Sequence, residues 1–271
     1  MKTRIVLKCV ALTAACSVMT CLNTANAADL YQNGDGLKDA PYAPQPTGFY
    51  VGAKIGGSGL TLDDRKTSYN AFNFLEDGKN FSGDYESWNL DGGTAGVFGG
   101  GVFLGYGLKD FTGLPVRAEF DYVARLDGSV SSDRDITMNF KVNGVPSAET
   151  MLWHLRDKIG LQTALASFYI DIPTSYTIKP YIGGGVGAAF IDQKSNGLLD
   201  DVFTGSHSTT NFAWSVGGGL AWAIDDHKTI DLGYRYVDAG DSTAHLSTEE
   251  PVYEKVHVAS HDVMLGLRYG F

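Results

Sequence analysis

From His261 to Phe271 the chain alternates with a strict period of two. Val263, Leu265, Leu267, Tyr269 and Phe271 share one parity, and Asp262, Met264, Gly266, Arg268 and Gly270 share the other. In an extended strand successive side chains point to opposite faces, so one face is apolar and ends in two aromatics while the other is small or charged. A membrane-crossing strand needs roughly 9–11 residues, apolar outward and polar inward, with aromatics at the interface. This segment satisfies each condition. An edge strand of a soluble sandwich shares the alternation, and the other end of the chain bears on that choice.

Lys2, Arg4 and Lys8 precede an apolar stretch from Val10 to about Leu22, followed by Ala25-Asn26-Ala27. A basic start, a short apolar core and a small-x-small site make a secretory signal, with cleavage expected after Ala27 and Ala25 and Ala27 as the recognition pair. The apolar core is too short to span a bilayer as a helix. Residues 1–27 hold Cys9, Cys16 and Cys21, all three cysteines of the chain, so the expected mature protein has neither thiol nor disulfide. Acylation at Cys16 or Cys21 is the competing reading, but Thr13-Ala14-Ala15 and Val18-Met19-Thr20 are poor lipoprotein signals.

The leader carries three of the 21 Lys and Arg and none of the 31 Asp and Glu, so the remainder bears 18 against 31, a formal charge of −13. That balance argues against nucleic-acid binding, which neutralises phosphates with basic surface. Beyond residue 27 no run approaches the roughly 18 apolar residues of a spanning helix. A secreted chain without such a run can still be integral to a membrane, because a closed barrel pairs every backbone group internally.

Residues 28–47 carry Asn33-Gly34-Asp35-Gly36 and Ala40-Pro41-Tyr42-Ala43-Pro44-Gln45-Pro46, turn and polyproline signals that read as a flexible lead-in. Alternation then predicts strands near 48–57, 94–108, 115–126, 159–172, 177–190, 212–224, 229–237 and 261–271. The third is clear, with Val116, Ala118, Phe120, Tyr122 and Ala124 on one face; the fourth admits either parity. Trp214 and Trp222, eight residues apart, would lie roughly 26 Å apart along a strand, suiting two aromatic girdles about 25 Å apart. Short connections (109–114, 173–176, 225–228) alternate with long ones (58–93, 127–158, 191–211, 238–260). The expected fold is therefore all-β: an eight-stranded antiparallel up-and-down transmembrane barrel over 48–271, both termini periplasmic and four long loops outside. Asn143-Gly144 is a strong hairpin signal inside the second loop, so the third and fourth strands should project above the membrane.

Gly48-Phe49-Tyr50-Val51-Gly52-Ala53-Lys54-Ile55-Gly56-Gly57, Lys179-Pro180-Tyr181-Ile182-Gly183-Gly184-Gly185-Val186-Gly187, Leu232-Gly233-Tyr234-Arg235-Tyr236 and the closing Met264-to-Phe271 run resemble the small opacity-type surface antigens of bacterial outer membranes. The ending likewise resembles the C-terminal insertion signal of outer-membrane barrels. That resemblance implies an outer-membrane location, membrane lipids as surroundings, the barrel-assembly machinery as a partner of the last strand, and host surface molecules or phage as partners of the loops. Some members of that group are described as haem-binding surface proteins.

An eight-stranded barrel is just wide enough for side chains to fill it. The inward set Lys54, Arg117, Glu119, Asp121, Arg125, Lys179, Asp231, Arg235 and Arg268 mixes both signs and should pair into a polar plug, the alternative being a narrow charged channel. Gly99–Gly101, Gly183–Gly185 and Gly217–Gly219 lack the following helix of a phosphate loop, and on a strand they make room for neighbouring aromatics. Of six histidines, His227 maps to a short turn, while His154, His207, His245, His257 and His261 map to the outer side. Imidazoles suit iron, copper and zinc, so these five are the candidates for haem, but no spacing among them makes a metal site. His207-Ser208 is the nearest approach to a hydrolytic pair, with no acid placed to complete it. The expectation is a non-enzymatic surface-antigen barrel without cofactor; a narrow porin and a haem- or metal-binding surface protein are the alternatives.

Overall fold

The computed structural model describes residues 48–197, 203–246 and 252–271. The expected signal segment with its cleavage site and the 28–47 lead-in lie outside those residues.

The strands are β1 (Gly48–Tyr69), β2 (Phe72–Glu76), β3 (Lys79–Gly83), β4 (Glu86–Asn89), β5 (Gly93–Gly107), β6 (Val116–Arg125), β7 (Gly128–Val142), β8 (Val145–Asp171), β9 (Ile178–Gly197), β10 (Phe203–Ala223), β11 (Lys228–His245) and β12 (Val252–Gly270), with one helical turn, α1 (Lys109–Thr112). Antiparallel pairing runs β1, β5, β6, β8, β9, β10, β11, β12 and back to β1, so eight strands close a ring. β7 continues β6 along β8: Ala124 faces Gln162 and Gly128 faces Ile159, four residues on one side against three on the other. Closure leaves the membrane-level strands without an open edge, which is what hydrocarbon demands of a sheet.

Within the belt the expected parities hold. Phe49, Val51, Ile55, Phe98, Val102, Phe120, Ile182, Val186, Phe212, Val216, Leu220, Leu232 and the closing Val263, Leu265, Leu267, Tyr269 and Phe271 all face outward and are exposed. The fourth ring strand, open in the sequence, turns Leu161, Thr163, Leu165 and Ser167 inward, because Phe168 and Ile170 continue the apolar outer face. Phe49 packs edge-on to Tyr106 at 4.8 Å and Tyr269 to Phe271 at 5.5 Å at the turn end; Trp214 and Tyr236 pack at 5.6 Å toward the other end.

The four long loops are the main departure. Spans 58–93, 127–158, 191–211 and 238–260 are largely strand: β1 runs on to Tyr69, β9 to Gly197, β11 to His245, and β12 starts at Val252. Three strands reach this height through irregularities that invert their parity. β1 shifts between Asp63 and Lys66, with Asp64 at φ 47°, and β11 shifts between Asp238 and Gly240, whose φ is 76°. The third is the β6–β7 junction. A bulge inserts one residue, so the inward set changes from even to odd or the reverse, and a fixed period of two breaks there.

The hairpin expected at Asn143-Gly144 is present, joining β7 to β8 with φ values of 52° and 80°, the left-handed pair of a type I′ turn. Residues 145–159 would extend about 50 Å along the strand, or about 40 Å along the barrel axis at a tilt near 40°. β2 and β3 form a side hairpin held to β7 through Phe81 and Ser82, and β4 returns along β1.

Candidate functional site

The inward residues of β8, read from the turn end upward, are Asp171, Tyr169, Ser167, Leu165, Thr163, Leu161, Ile159, Asp157, Leu155 and Trp153, and they pass through four layers. The lowest is ionic. Arg117 pairs with Glu119 and, at 3.1 Å, with Asp171; its guanidinium lies 4.4 Å from the Tyr169 ring and 4.6 Å from Tyr181. Tyr50 donates to Glu119 at 2.9 Å, and Arg268 pairs with Asp231. One step higher, Asp121 receives Lys54 and Arg235, Arg235 reaches Asp262 at 3.5 Å, and Arg125 grips Asp262 through Nε at 3.0 Å while donating to Thr163. Removing one partner from such a buried pair typically costs about 3–5 kcal/mol, since the other charge is left uncompensated.

Eight of the nine expected lumen charges are joined by these contacts. Lys179 is half-buried near the turn end of β9, two residues before Tyr181 on the same parity. Asp171 and Asp262 complete the network and were absent from the expected set. Asp262 had the right parity in the last strand, whereas Asp171 ends a strand whose parity was open.

The glycines do what a lumen crowded with rings requires. A Cβ at Gly219 would sit 2.6 Å from Tyr181 Oη, and one at Gly233 would sit 2.7 Å from the same atom. The tyrosine lies flat on two strands because neither has a side chain there.

Above the ionic layer the lumen is apolar. Leu60, Leu62, Ile159, Leu161, Leu165, Ile191, Val237, Val256 and Val258 are buried together with Ala189, Ala213 and Ala239. A second ionic group follows. Arg65 donates to Asp157 from Nε at 3.0 Å and Nη2 at 2.6 Å and to the Asp91 carbonyl at 3.0 Å; Ser195 donates to the other Asp157 oxygen. Glu254, fully buried, lies 3.7 Å from Arg65 Nε, and neither of its oxygens accepts a hydrogen bond. Burial pushes its carboxyl well above the usual carboxylate range, the Asp157 charge adds to that, and Arg65 opposes it. Leu90, Ile136, Trp153, Leu155, Leu246 and Val252 close the top. This upper group lay inside spans read as loops, so nothing in the expected set included it.

The outer histidines stay apart. His154 pairs with Asp133, His245 packs on Tyr253 at 4.6 Å, and His261 meets the Tyr234 hydroxyl at 2.8 Å. His257 pairs with Asp241 at 2.8 Å and Asp238 at 3.4 Å. Burial would lower the His257 pKa, but these two carboxylates raise it above the ordinary imidazole value. His257 and His261 share a face, as the spacing predicts, yet each has its own partners. Among the described residues no cluster of three His, Cys, Asp or Glu could hold a metal ion. His207 and Ser208 are successive strand residues whose side chains diverge, and the Ser208 hydroxyl donates to Asp192 at 2.6 Å.

A family model described as an outer membrane protein beta-barrel domain matches residues 14–271. The chain belongs to that family. This outer-membrane β-barrel is 33% identical over 187 residues to the outer membrane protein PagN of Salmonella typhimurium, covering 66% of this chain and 74% of the relative. It is 27% identical to the 31 kDa outer-membrane immunogenic protein of Brucella melitensis over 233 residues, covering 83% of each. Among solved structures it is similar to OprG of Pseudomonas aeruginosa, with a TM-score of 0.44, 14% identity, and coverage of 84% of this chain and 99% of that one.

Proposed function

We propose that this outer-membrane barrel is a non-enzymatic surface protein that acts through its outward extension, contacting molecules of a host or of another cell, and that it is not a pore. The observation that carries the reading is the lumen. Two apolar layers, one around Leu161 and one around Trp153, lie across the path that an ion would follow, each above a paired ionic layer. Water and ions need polar partners along a conduit, and an apolar constriction excludes them. The chain's solvent-facing chemistry is concentrated on strands that rise beyond the belt. In this reading both termini and the short connections face the periplasm and Asn143-Gly144 stands at the cell surface. The name of the Brucella relative, an immunogenic outer-membrane protein, supports exposure of this kind.

The refolded barrel in a planar bilayer tests the closed lumen: no stable conductance is expected, and a steady nanosiemens current would overturn it. A peptide epitope inserted between Asn143 and Gly144 tests the orientation. It should be labelled by antibody on intact cells, and labelling only after permeabilisation would reverse the assignment. Cells bearing a barrel with residues 136–151 replaced by a short turn should lose adhesion to host cells if the extension makes the contact.

A further inference from the structure

We propose that the outward faces of β8 and β9, just above the apolar belt, hold the phosphate groups of the glycolipid in the outer leaflet. Lys158 and Lys194 are direct cross-strand partners, and Arg156 is two residues above Lys158 on the same face, so three cations crowd one patch of a chain with a net charge of −10. Like charges directly opposed in a sheet are destabilising. Lys158 meets Asp127 at 3.0 Å, and Arg156 reaches Ser131 at 3.4 Å. Among the described residues no hydrogen bond or ion pair meets the Lys194 ammonium. Asp192, the nearby acid on β9, accepts from Ser208, and His154 higher on β8 is paired with Asp133. A second lysine pair, Lys66 opposite Lys255, provides the contrast. There Lys255 binds Asp241 at 2.7 Å. In each pair one lysine meets an acid, Lys158 through Asp127 and Lys255 through Asp241, while the Lys194 and Lys66 ammonium groups meet none among the described residues; the β8–β9 patch differs by its third cation, Arg156.

Height decides the source of the anion. Phe190 and Tyr122 are the last aromatics of the belt on this side, with Phe190 opposite Gln162. Lys194 follows Phe190 by four residues, about 13 Å along the strand and about 10 Å along the axis after tilt. A lysine stem bends back by several ångströms. Its ammonium then falls within the headgroup zone, which adds about 5–8 Å beyond the hydrocarbon on each side. Phosphates of a membrane lipid are held at that level, whereas a soluble polyanion is not.

The inference rests on the orientation proposed above, which the surface-epitope experiment tests separately. Full-length refolded barrel in detergent is titrated with bis-phosphorylated lipid A, dephosphorylated lipid A and dextran sulfate, and bound ligand is counted by native mass spectrometry. The variants are R156Q/K158Q/K194Q, the single K194Q in case the triple does not fold, and K66Q/K255Q as the control. Wild type and control should bind bis-phosphorylated lipid A at least about tenfold more tightly than the triple variant, with K194Q severalfold weaker than wild type. Dephosphorylated lipid A should bind wild type no better than the phosphorylated form binds the triple variant. Equal binding by wild type and the folded charge variants, or equal loss in the control, would overturn the proposal. So would dextran sulfate binding through the trio as tightly as lipid A, which would make the patch a receptor for soluble polyanions.

Discussion

Replacing Leu161 with alanine tests the closed lumen at the centre of its lower apolar layer. Leu161 is fully buried opposite Ile191, in a cluster that includes Ile159, Leu165, Ala189, Ala213 and Ala239. Removal of three carbon atoms forfeits about 2.4 kcal/mol of transfer free energy at about 0.8 kcal/mol each. The residual cavity adds its own term, and the rigid closed ring limits collapse, so the total should lie at about 3–5 kcal/mol. Urea unfolding of the refolded barrel in short-chain phosphatidylcholine vesicles, followed by tryptophan fluorescence, measures it directly. The midpoint should fall with little change in slope, since the surface exposed on unfolding is nearly the same. A loss under about 1 kcal/mol would mean that Leu161 faces water or a loosely filled space, and the closed-lumen reasoning would fail with it.

Glu254→Gln should change how stability depends on pH. The folded protein holds the Glu254 proton more tightly than the unfolded chain does, so its contribution is full below the ordinary glutamate pKa and is lost as pH rises through the raised value. Urea midpoints at pH 5 and pH 8 should therefore fall further in the wild type than in E254Q; parallel slopes would remove Glu254 from this role. His257 has the same sign: its pairing with Asp241 and Asp238 is strongest below the ordinary imidazole pKa and weakens as pH rises through the raised one. An NMR titration should place its midpoint above 6.5 and move it down in Asp241→Asn, and a midpoint unmoved by that change would refute the assignment. Phe271, exposed at the end of β12 with its N–H donating to the Phe49 carbonyl at 3.1 Å, is proposed to be read during assembly. Phe271→Ala should lower the heat-modifiable folded fraction in cells severalfold, and unchanged levels would exclude that role. Haemin titrated into the wild type and into a variant lacking His154, His207, His245, His257 and His261 should give the same weak Soret response; a sharp band confined to the wild type would establish ligation.

The membrane belt was legible because lipid imposes one rule on it. Every outward side chain between Ile178 and Phe190, or between Phe212 and Ile224, faces hydrocarbon or its boundary, so a period of two survives despite the many glycines. Above the belt the outer face meets water and the inner face is only partly apolar, and both halves of the signal weaken. Ile191-Asp192-Gln193-Lys194-Ser195 reads as a polar loop, yet Gln193 and Ser195 point inward to the Asp157 group. In β8 the run Trp153-His154-Leu155-Arg156-Asp157-Lys158-Ile159 does alternate, with Asp157 as its one charged inward member. That aspartate obscures the pattern because its partner, Arg65, comes from 92 residues away.

The phase inversions add a physical reason for where the strand expectations ended. Asp63–Lys66, Leu126–Asp127 and Asp238–Gly240 stand beyond the belt on β1, β6 and β11, with β5 between β1 and β6 and β12 between β1 and β11. A bulge bends its strand and increases the local twist, so a set of them around part of a rim redirects the sheet. Below them, eight strands are held by the membrane in a filled cylinder. Above them, β7 departs from the line of β6, β4 returns along β1, and the β2–β3 hairpin reaches β7. If the bulges make that change of direction, deleting Gly240 should remove the bulge, give β11 continuous alternation with Ser242 and Ala244 still inward, and straighten the strand past the rim. The upper barrel would then lose its packing while the belt kept its own. Limited proteolysis should show this as cleavage above residue 238 with a protected membrane core. Uniform resistance like that of the wild type would show that the inserted residue is absorbed locally and that the rim does not depend on it.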